Sequence, residues 1–334
     1  MTEHFELLPL EGAGFGARVE LAEENGAAAL ADLAESHPSA LPGALNRAEG
    51  LLVLRGMHAI NNDPGLLVRL SRVFGTEVEN YRETQSAREM IHPSVDEILV
   101  ISNLPPATRQ PPARPDPPLT AGGELPTQFP HRRGWHTDQS YRRPPPDVSL
   151  FYAVIPAPPG QGQTLYASGT LAYESLPEPL RRRAHDLVGI HAQPGIGYGE
   201  IAVKNGETPK TLEPHQRPQR QPVVRIHPVT GEPALYLCEA GQMDWIEGPF
   251  VGMEPGPEGD GARLLYELMA HFTQPQFTYV HDWSAGDLVI YDNRNLIHAA
   301  TWFDAERHQR LMWRTTVRGN PGAEYAGEAR SWIP

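Results

Sequence analysis

Residues 134–138 read Gly-Trp-His-Thr-Asp, and this stretch is the most informative pattern in the chain. If the backbone is extended here, residues two apart point to the same side, so His136 and Asp138 converge while Thr137 faces away. An imidazole and a carboxylate on one face can provide two adjacent metal ligands. With 14 histidines in the chain, one His-x-Asp is expected by chance. Taken alone, the stretch is better explained by a hydrogen-bonded His–Asp pair on a barrel wall.

A second informative stretch lies about 160 residues further on. An apolar run, 288–291, is followed by a polar stretch that ends at His298, and Arg310 then opens an alternating run to Val317. If this run is a strand, Arg310 and Arg314 share one face and the apolar side chains share the other. Two arginines on one face favour anion binding there, and a solvated outer face is the alternative.

The chain around these stretches predicts a mainly β protein. Short apolar runs are separated by Gly/Pro turns with few helical patterns after residue 90, which is typical of a β-sandwich or barrel with flanking helices (α+β). Helices are predicted at 26–35, 66–74, 176–187 and 261–272, the last with Asp260 as its cap. Strands are predicted at 50–54, 97–101, 148–155, 163–166, 223–227, 234–237, 287–291 and 311–317.

Proline is concentrated in one region. Residues 104–130 hold 9 of the 35 prolines in the chain, and this density excludes a central strand or a helix interior. We expect a loop or lid within one domain at about 104–130, and a second Gly/Pro-rich loop at about 193–222.

The composition narrows the functional class. The 334 residues are 40% hydrophobic and 21% charged, as in ordinary globular proteins, and the net charge of −13 disfavours a nucleic-acid partner. Since no long apolar run and no secretory signal are present, we expect no membrane partner and a cytoplasmic location. The single cysteine, Cys238, excludes an intrachain disulfide and is expected to be a small core residue.

Together, several segments resemble the taurine dioxygenase / 2,4-D dioxygenase (TauD/TfdA) family of Fe(II)/2-oxoglutarate-dependent dioxygenases. The signature Trp135–Asp138 and the distal stretch from Asp292 to His298 are similar to the family's iron-ligand segments. The similarity extends to residues 8–21, 52–56, 221–237 and 246–248, and so covers nearly the whole chain. It implies a double-stranded β-helix (jelly-roll, cupin-like) core and a single domain over residues 1–334.

The resemblance also implies roles for individual residues. By position, His136, Asp138 and His298 are the expected iron ligands, and such a triad leaves adjacent sites open on Fe(II). Thr164 and Arg310 match the residues that hold the distal carboxylate of 2-oxoglutarate, a group that the planar fork of arginine suits.

The substrate side is less well defined by the resemblance. Arg314 is hypothesised to favour a substrate with a carboxylate, sulfonate or similar anion, and a structural or cosubstrate role is the alternative. Arg132 stands at a substrate-contacting position of the family. Tyr81, Trp135 and Gln139 are further candidates for the pocket wall, with core or surface packing as the alternative for each.

The expected activity follows from this resemblance. We expect an enzyme that couples decarboxylation of 2-oxoglutarate, with O₂, to oxidation of an unactivated C–H bond in a small molecule, by default hydroxylation, with release of succinate and CO₂. Desaturation or isonitrile formation in natural-product tailoring is an alternative. A zinc hydrolase and a non-catalytic jelly-roll binding module are disfavoured. Relatives are often dimers or tetramers, so a homo-oligomer is also considered.

Overall fold

The computed structural model describes residues 6–21, 26–84, 87–114, 134–142, 144–195 and 198–319. Its strands are β1 (Glu6–Pro9), β2 (Ala17–Glu20), β3 (Leu51–Leu54), β4 (Leu99–Ser102), β5 (Val148–Ile155), β6 (Thr164–Ser168), β7 (Val188–His191), β8 (Gln219–Pro222), β9 (Val224–Ile226), β10 (Pro233–Leu235), β11 (Thr278–His281), β12 (Leu288–Asp292), β13 (Leu296–Ala300) and β14 (Leu311–Val317). Its α-helices are α1 (Ala27–Ser36), α2 (Ala40–Arg47), α3 (Gly65–Arg72), α4 (Tyr81–Thr84), α5 (Gly169–Glu174), α6 (Glu178–Ala184), α7 (Glu200–Lys204) and α8 (Asp260–Phe272). Short 3₁₀ helices occupy His58–Asn61, Arg88–Met90, Pro214–Gln216, Ala240–Gln242 and Pro275–Phe277.

Two facing sheets form the centre of the protein. The larger has the strand order β1-β2-β3-β12-β5-β14-β4, and the smaller has the order β11-β6-β13. The pairs β7–β8 and β9–β10 lie outside them. The strands of both sheets pair antiparallel except β2 with β3, which are parallel. This arrangement is the expected jelly-roll core.

The side-chain alternation of the strands divides the interior into three layers. On β12, Leu288 and Ile290 pack against α1, α2 and α3, whereas Val289 and Tyr291 point the other way, toward the smaller sheet. On β6, Leu165 faces the opposite outer layer, where α5, α6 and α8 pack. The space between the sheets is therefore bounded by inward-facing side chains of both, and the candidate site lies there.

Each predicted helix and strand has a counterpart in the structure, but α2, α4, α5, α7, β7, β8, β11 and β13 were not predicted, and two further expectations were wrong. Helix α2 was not predicted because Pro42 and Gly43 lie within it and are typical of a turn. Asp260 is the first residue of α8, and Gly259 holds the cap position. The second predicted loop, 193–222, is not structureless, since it contains α7, a 3₁₀ turn and β8, which pairs with β7.

Two other expectations concern the cysteine and membrane segments. Cys238 is fully buried in the layer under α8, as predicted for a small core residue. Within the ranges that the structure describes, none of the helices is long and apolar enough to cross a membrane.

The packing of α8 gives a test of this layer. Leu268 is fully buried against the smaller sheet, whereas Glu267, one residue earlier, is exposed. Leu268→Ala should lower the free energy of unfolding by about 2–5 kcal/mol, because it removes buried methyl groups and leaves a cavity. Glu267→Ala should change it by less than about 1 kcal/mol. Denaturant unfolding followed by tryptophan fluorescence measures both, and equal effects would contradict the assigned helix orientation.

Candidate metal and cosubstrate site

Backbone hydrogen bonds hold His136 and His298 side by side. The His136 N–H donates to the His298 carbonyl at 3.0 Å, and the His298 N–H donates to the His136 carbonyl at 2.7 Å. The two imidazole centroids are 4.3 Å apart as a result. His298 lies on β13, whereas His136 forms an isolated bridge outside any regular strand.

The chain turns directly after this bridge and brings in Asp138. Thr137 donates its hydroxyl to the Asn293 carbonyl at 2.7 Å, and the Asp138 N–H donates to Asn293 Oδ1 at 3.2 Å. The Oδ1 atom of Asp138 thereby lies 3.8 Å from His136 Nε2 and 3.9 Å from His298 Nε2. Ligand atoms of the three residues all lie within 4.8 Å of one another.

The Asp138 carboxylate is held by three side chains. Ser149 and Tyr291 donate to Oδ2 at 2.8 and 2.7 Å, and Arg314 Nη1 donates to Oδ1. Burial acts to raise the pKa of Asp138, but the Arg314 guanidinium and the two imidazoles outweigh it and hold that pKa well below its usual range. The carboxylate is therefore ionised at neutral pH.

Both histidines are suited to bind a metal as neutral ligands. Burial lowers the pKa of His136, and burial together with the neighbouring His136 lowers the pKa of His298 to about 3. His136 Nδ1 lies 2.6 Å from the Gly134 carbonyl, which can only accept, so Nδ1 carries the proton and Nε2 keeps its lone pair. Two neutral imidazoles and one carboxylate form the donor set that suits non-haem Fe(II). The residues present thus fit that metal.

A cavity of about 290 Å³ opens from these side chains. His136, His298 and Tyr291 line it together with Thr164 and Arg310. Further lining comes from Ile101, Ser102, Asn103, Arg109, Gln110, Pro111, Pro112, Phe151, Ala300, Thr301, Phe303 and Arg314.

Arg310 provides a buried positive charge in this cavity. Burial, with a contribution from Arg109, lowers the pKa of Arg310 to about 10, so the guanidinium is still protonated at neutral pH. Its Nε and Nη2 atoms are buried and have no hydrogen-bond partner in the described part of the chain. A buried charge without a partner is costly, so the arrangement favours an anionic ligand here.

A glycine makes room for the Arg310 side chain. Gly162 has a φ of +58°, and a Cβ at this position would lie 2.8 Å from Ala157 Cβ and 3.4 Å from both Cδ and Nε of Arg310. Glycine at 162 therefore permits both the backbone conformation and the close approach of the arginine.

The residues predicted to contact the substrate do not all lie at the cavity. Arg314 lines the cavity, as Arg310 does, so the two arginines are not on a solvated outer face. Arg132 lies outside the described residues.

Three further candidates are not among the residues that line the cavity in the described part of the chain. Trp135 is fully buried in the layer under α8, where its ring packs with apolar side chains. Tyr81 is buried with its hydroxyl 2.8 Å from Thr316 Oγ1. Gln139 lies in a turn with a φ of +47°. The packing alternative describes Trp135 and Tyr81 better than a place on the pocket wall, because both rings are enclosed by the fold.

Sequence reasoning missed several residues at the site. Ser149, Tyr291 and Asn293 support Asp138, and each lies on or directly after a strand that the sequence did predict. Their inward orientation could have been inferred from strand alternation. Arg109 comes from the proline-rich region, where no periodic pattern indicates the direction of a side chain.

The chain matches a known family over most of its length. The profile described as "Taurine catabolism dioxygenase TauD, TfdA family" matches residues 9–316. The chain belongs to this family. As a member of the TauD/TfdA family it is an Fe(II)/2-oxoglutarate-dependent dioxygenase, and it uses Fe(II), 2-oxoglutarate and O₂.

Individual relatives and a solved structure match over much of the chain. Pentalenolactone F synthase of Streptomyces arenae is 29% identical over 332 residues, which is 97% of this chain and 99% of the relative. An alpha-ketoglutarate-dependent sulfate ester dioxygenase of Pseudomonas putida is 32% identical over 223 residues, 63% of this chain and 69% of the relative. Among solved structures, AAD-2 in complex with Mn(II) and N-oxalylglycine superimposes with a TM-score of 0.65 at 26% identity, covering 96% of this chain and 98% of that one.

The hydrogen bonds to Asp138 give a test of the metal site. Tyr291→Phe removes one donor from Oδ2 and should weaken Mn(II) binding about tenfold, because outer-shell partners orient the ligand carboxylate. Tyr166→Phe is the matched control, since the neighbouring Tyr166 is equally buried but its hydroxyl has no partner in the described structure. Mn(II) titration monitored by electron paramagnetic resonance measures both. Equal affinities in the two variants would contradict the assigned role of Tyr291.

Proposed function

We propose that the enzyme hydroxylates an unactivated C–H bond of a small anionic molecule, and that His136, Asp138 and His298 bind the iron. The observation that carries the proposal is the convergence of these three ligand atoms beside a cavity that His136, His298 and Arg310 line. Two nitrogens of the Arg310 guanidinium have no hydrogen-bond partner among the described residues. We place the enzyme in the cytoplasm. Because the proposed ligands come from distant parts of the chain, we also propose that residues 1–334 act as one domain.

In this proposal Arg310 and Thr164 bind the distal carboxylate of 2-oxoglutarate. Both side chains line the cavity, and Arg310 has two free guanidinium nitrogens among the described residues. Arginine can pair with a carboxylate through two parallel hydrogen bonds, which fixes the orientation of the cosubstrate as well as its position.

The protein side chains then have defined tasks. Ser149 and Tyr291 hold Oδ2 of Asp138, and Oδ1, which accepts from Arg314, is directed toward the two imidazoles. Phe151 and Phe303 supply apolar wall that excludes water from the substrate. When bound, Fe(II) and 2-oxoglutarate supply the oxidising chemistry, with consumption of O₂ and release of succinate and CO₂.

The charge of the cavity favours an anionic substrate. Among the described residues, Arg109, Arg310 and Arg314 line it and Asp138 is the carboxylate ion-paired there, which leaves a positive excess. Bound Fe(II) and the 2-oxoglutarate dianion cancel each other, so the excess persists in the loaded site. A substrate carboxylate or sulfate would compensate it. The sulfate ester named for the Pseudomonas putida relative is such an anion.

A natural-product tailoring oxidation is the second candidate. The observation that favours it is the match to pentalenolactone F synthase, which extends over 99% of that relative. The two candidate functions differ in the size of the substrate and in the outcome of the oxidation. They share the proposed iron and 2-oxoglutarate residues.

A spectroscopic titration tests the iron and cosubstrate assignment. Anaerobic Fe(II) plus 2-oxoglutarate should give a weak visible metal-to-ligand charge-transfer band in the wild-type protein. His298→Ala and Asp138→Ala should abolish it, because each removes a ligand, whereas His185→Ala, at an exposed histidine, should retain it. A folded wild-type protein that gives no band with Fe(II) and 2-oxoglutarate would refute the assignment.

A substrate screen tests the anion hypothesis. Succinate release should be higher with carboxylates and sulfate esters than with matched neutral methyl esters. For the best acid, Arg109→Gln and Arg314→Ala should raise the substrate KM about tenfold or more, because each removes a cation from the cavity. Arg183→Gln, at an exposed site, is the control. An unchanged substrate KM in both cavity variants would eliminate the hypothesis.

A further inference from the structure

The Thr164 hydroxyl is hydrogen-bonded to a tryptophan that was not predicted as a site residue and has no role in the mechanism proposed above. The indole Nε1 of Trp283 lies 3.0 Å from Thr164 Oγ1. Trp283 is 4% exposed and follows β11, whose last residue, His281, is paired with Thr164. Within the described part of the chain, this is the one hydrogen bond of the Thr164 hydroxyl.

The chemistry of the two groups fixes the direction of this bond. An indole N–H can only donate, so Thr164 Oγ1 must accept. A hydroxyl has one proton, and that proton is therefore left to point at a different acceptor. Because Thr164 and Arg310 line the same cavity, a bound anion is positioned to be that acceptor.

The Trp283 ring is held in place by its neighbours. It meets Phe151 edge-on at 5.2 Å and His281 edge-on at 4.3 Å between ring centroids. His281 Nε2 lies 3.2 Å from Asp287 Oδ2, and Arg55 donates to the same carboxylate oxygen at 2.6 Å. The Tyr279 hydroxyl lies 3.2 Å from Nδ1 of His281 and is hydrogen-bonded to it. The indole N–H is thus presented to Thr164 by a packed support, and its direction is set before any ligand binds.

We propose that Trp283 is a positioning residue for the cosubstrate: its indole N–H holds the Thr164 hydroxyl as a donor toward the distal carboxylate of 2-oxoglutarate. The proposal rests on the proposed function. Without the indole, the Thr164 hydroxyl is free to rotate and must be ordered when the ligand binds. The expected effect is a loss of roughly three- to tenfold in 2-oxoglutarate affinity, the size of one ordinary hydrogen bond, because the bond from Thr164 to the carboxylate is weakened and not removed.

A double-mutant cycle on ligand affinity tests the proposal. The dissociation constant of 2-oxoglutarate is measured anaerobically in the Fe(II) protein from the charge-transfer band, for the wild type, Trp283→Phe, Thr164→Val and the double variant. Trp283→Phe and Thr164→Val should each weaken binding, and the double variant should be no weaker than Thr164→Val. Mn(II) affinity should be unchanged throughout, since neither residue contacts the three proposed ligands.

Two further variants separate positioning from packing. Trp283→His, which can restore a ring N–H, should recover part of the affinity that the Phe variant loses. Trp245→Phe is the control, because it also removes a buried indole hydrogen bond, to the Ala240 carbonyl at 2.9 Å, but in the layer under α8. It should leave 2-oxoglutarate affinity unchanged.

The results that would contradict the role of Trp283 can be told apart from the result that would contradict the proposed function. Additive losses in the double variant, or an unchanged dissociation constant in Trp283→Phe, would overturn the role of Trp283 and leave the proposed function intact. Absence of the band in the folded wild-type protein would overturn both.

Discussion

Backbone hydrogen bonds between His136 and His298 are the constraint on which the rest of the site depends. They run in both directions between two segments that are distant in sequence, and they place the two imidazoles side by side. Since His298 belongs to β13, the bridge ties the first histidine to the smaller sheet. The larger sheet then contributes Tyr291 and Ser149 from the facing side, so the two sheets jointly hold Asp138.

A second constraint is the arrangement of buried charge. Asp138 and Arg314 compensate each other, whereas Arg310 has no such partner among the described residues. Behind the site, Asp292 accepts from Arg294 at 2.6 Å and lies 3.0 Å from His227 Nε2, which fixes the turn that carries Asn293. The fold therefore compensates the charges that support the proposed metal ligands. In the described part of the chain Arg310 faces the cavity without a carboxylate partner, and a bound anion can pair with it there.

The sequence predicts the scaffold better than it predicts the cavity wall. The strands at Val148–Ile155, Leu288–Asp292 and Leu311–Val317 follow from apolar runs and turn residues, because burial of alternate side chains imposes a period of two. The family resemblance is confirmed over residues 9–316.

Contacts between residues that are far apart in the sequence could not be predicted from these patterns. The His136–Asp138 stretch was treated as a strand, yet the structure forms one bridge followed by a turn, and Asn293 supplies the hydrogen bond that orients the turn. Similarly, nothing periodic marks Arg109 or Trp283 as parts of the site, since each is placed by an irregular segment. The homo-oligomer and the absence of a nucleic-acid partner stay predictions.

The central claim is that one metal ion joins the two distant segments of the chain. A crystal structure of the protein prepared anaerobically with Mn(II) and 2-oxoglutarate tests it most directly, through the anomalous signal of the metal. We predict a single peak at about 2.1 Å from His136 Nε2, His298 Nε2 and an Asp138 carboxylate oxygen, the usual distance for a first-row metal ligand. A peak bound elsewhere, or one that lacks either histidine, would contradict the account.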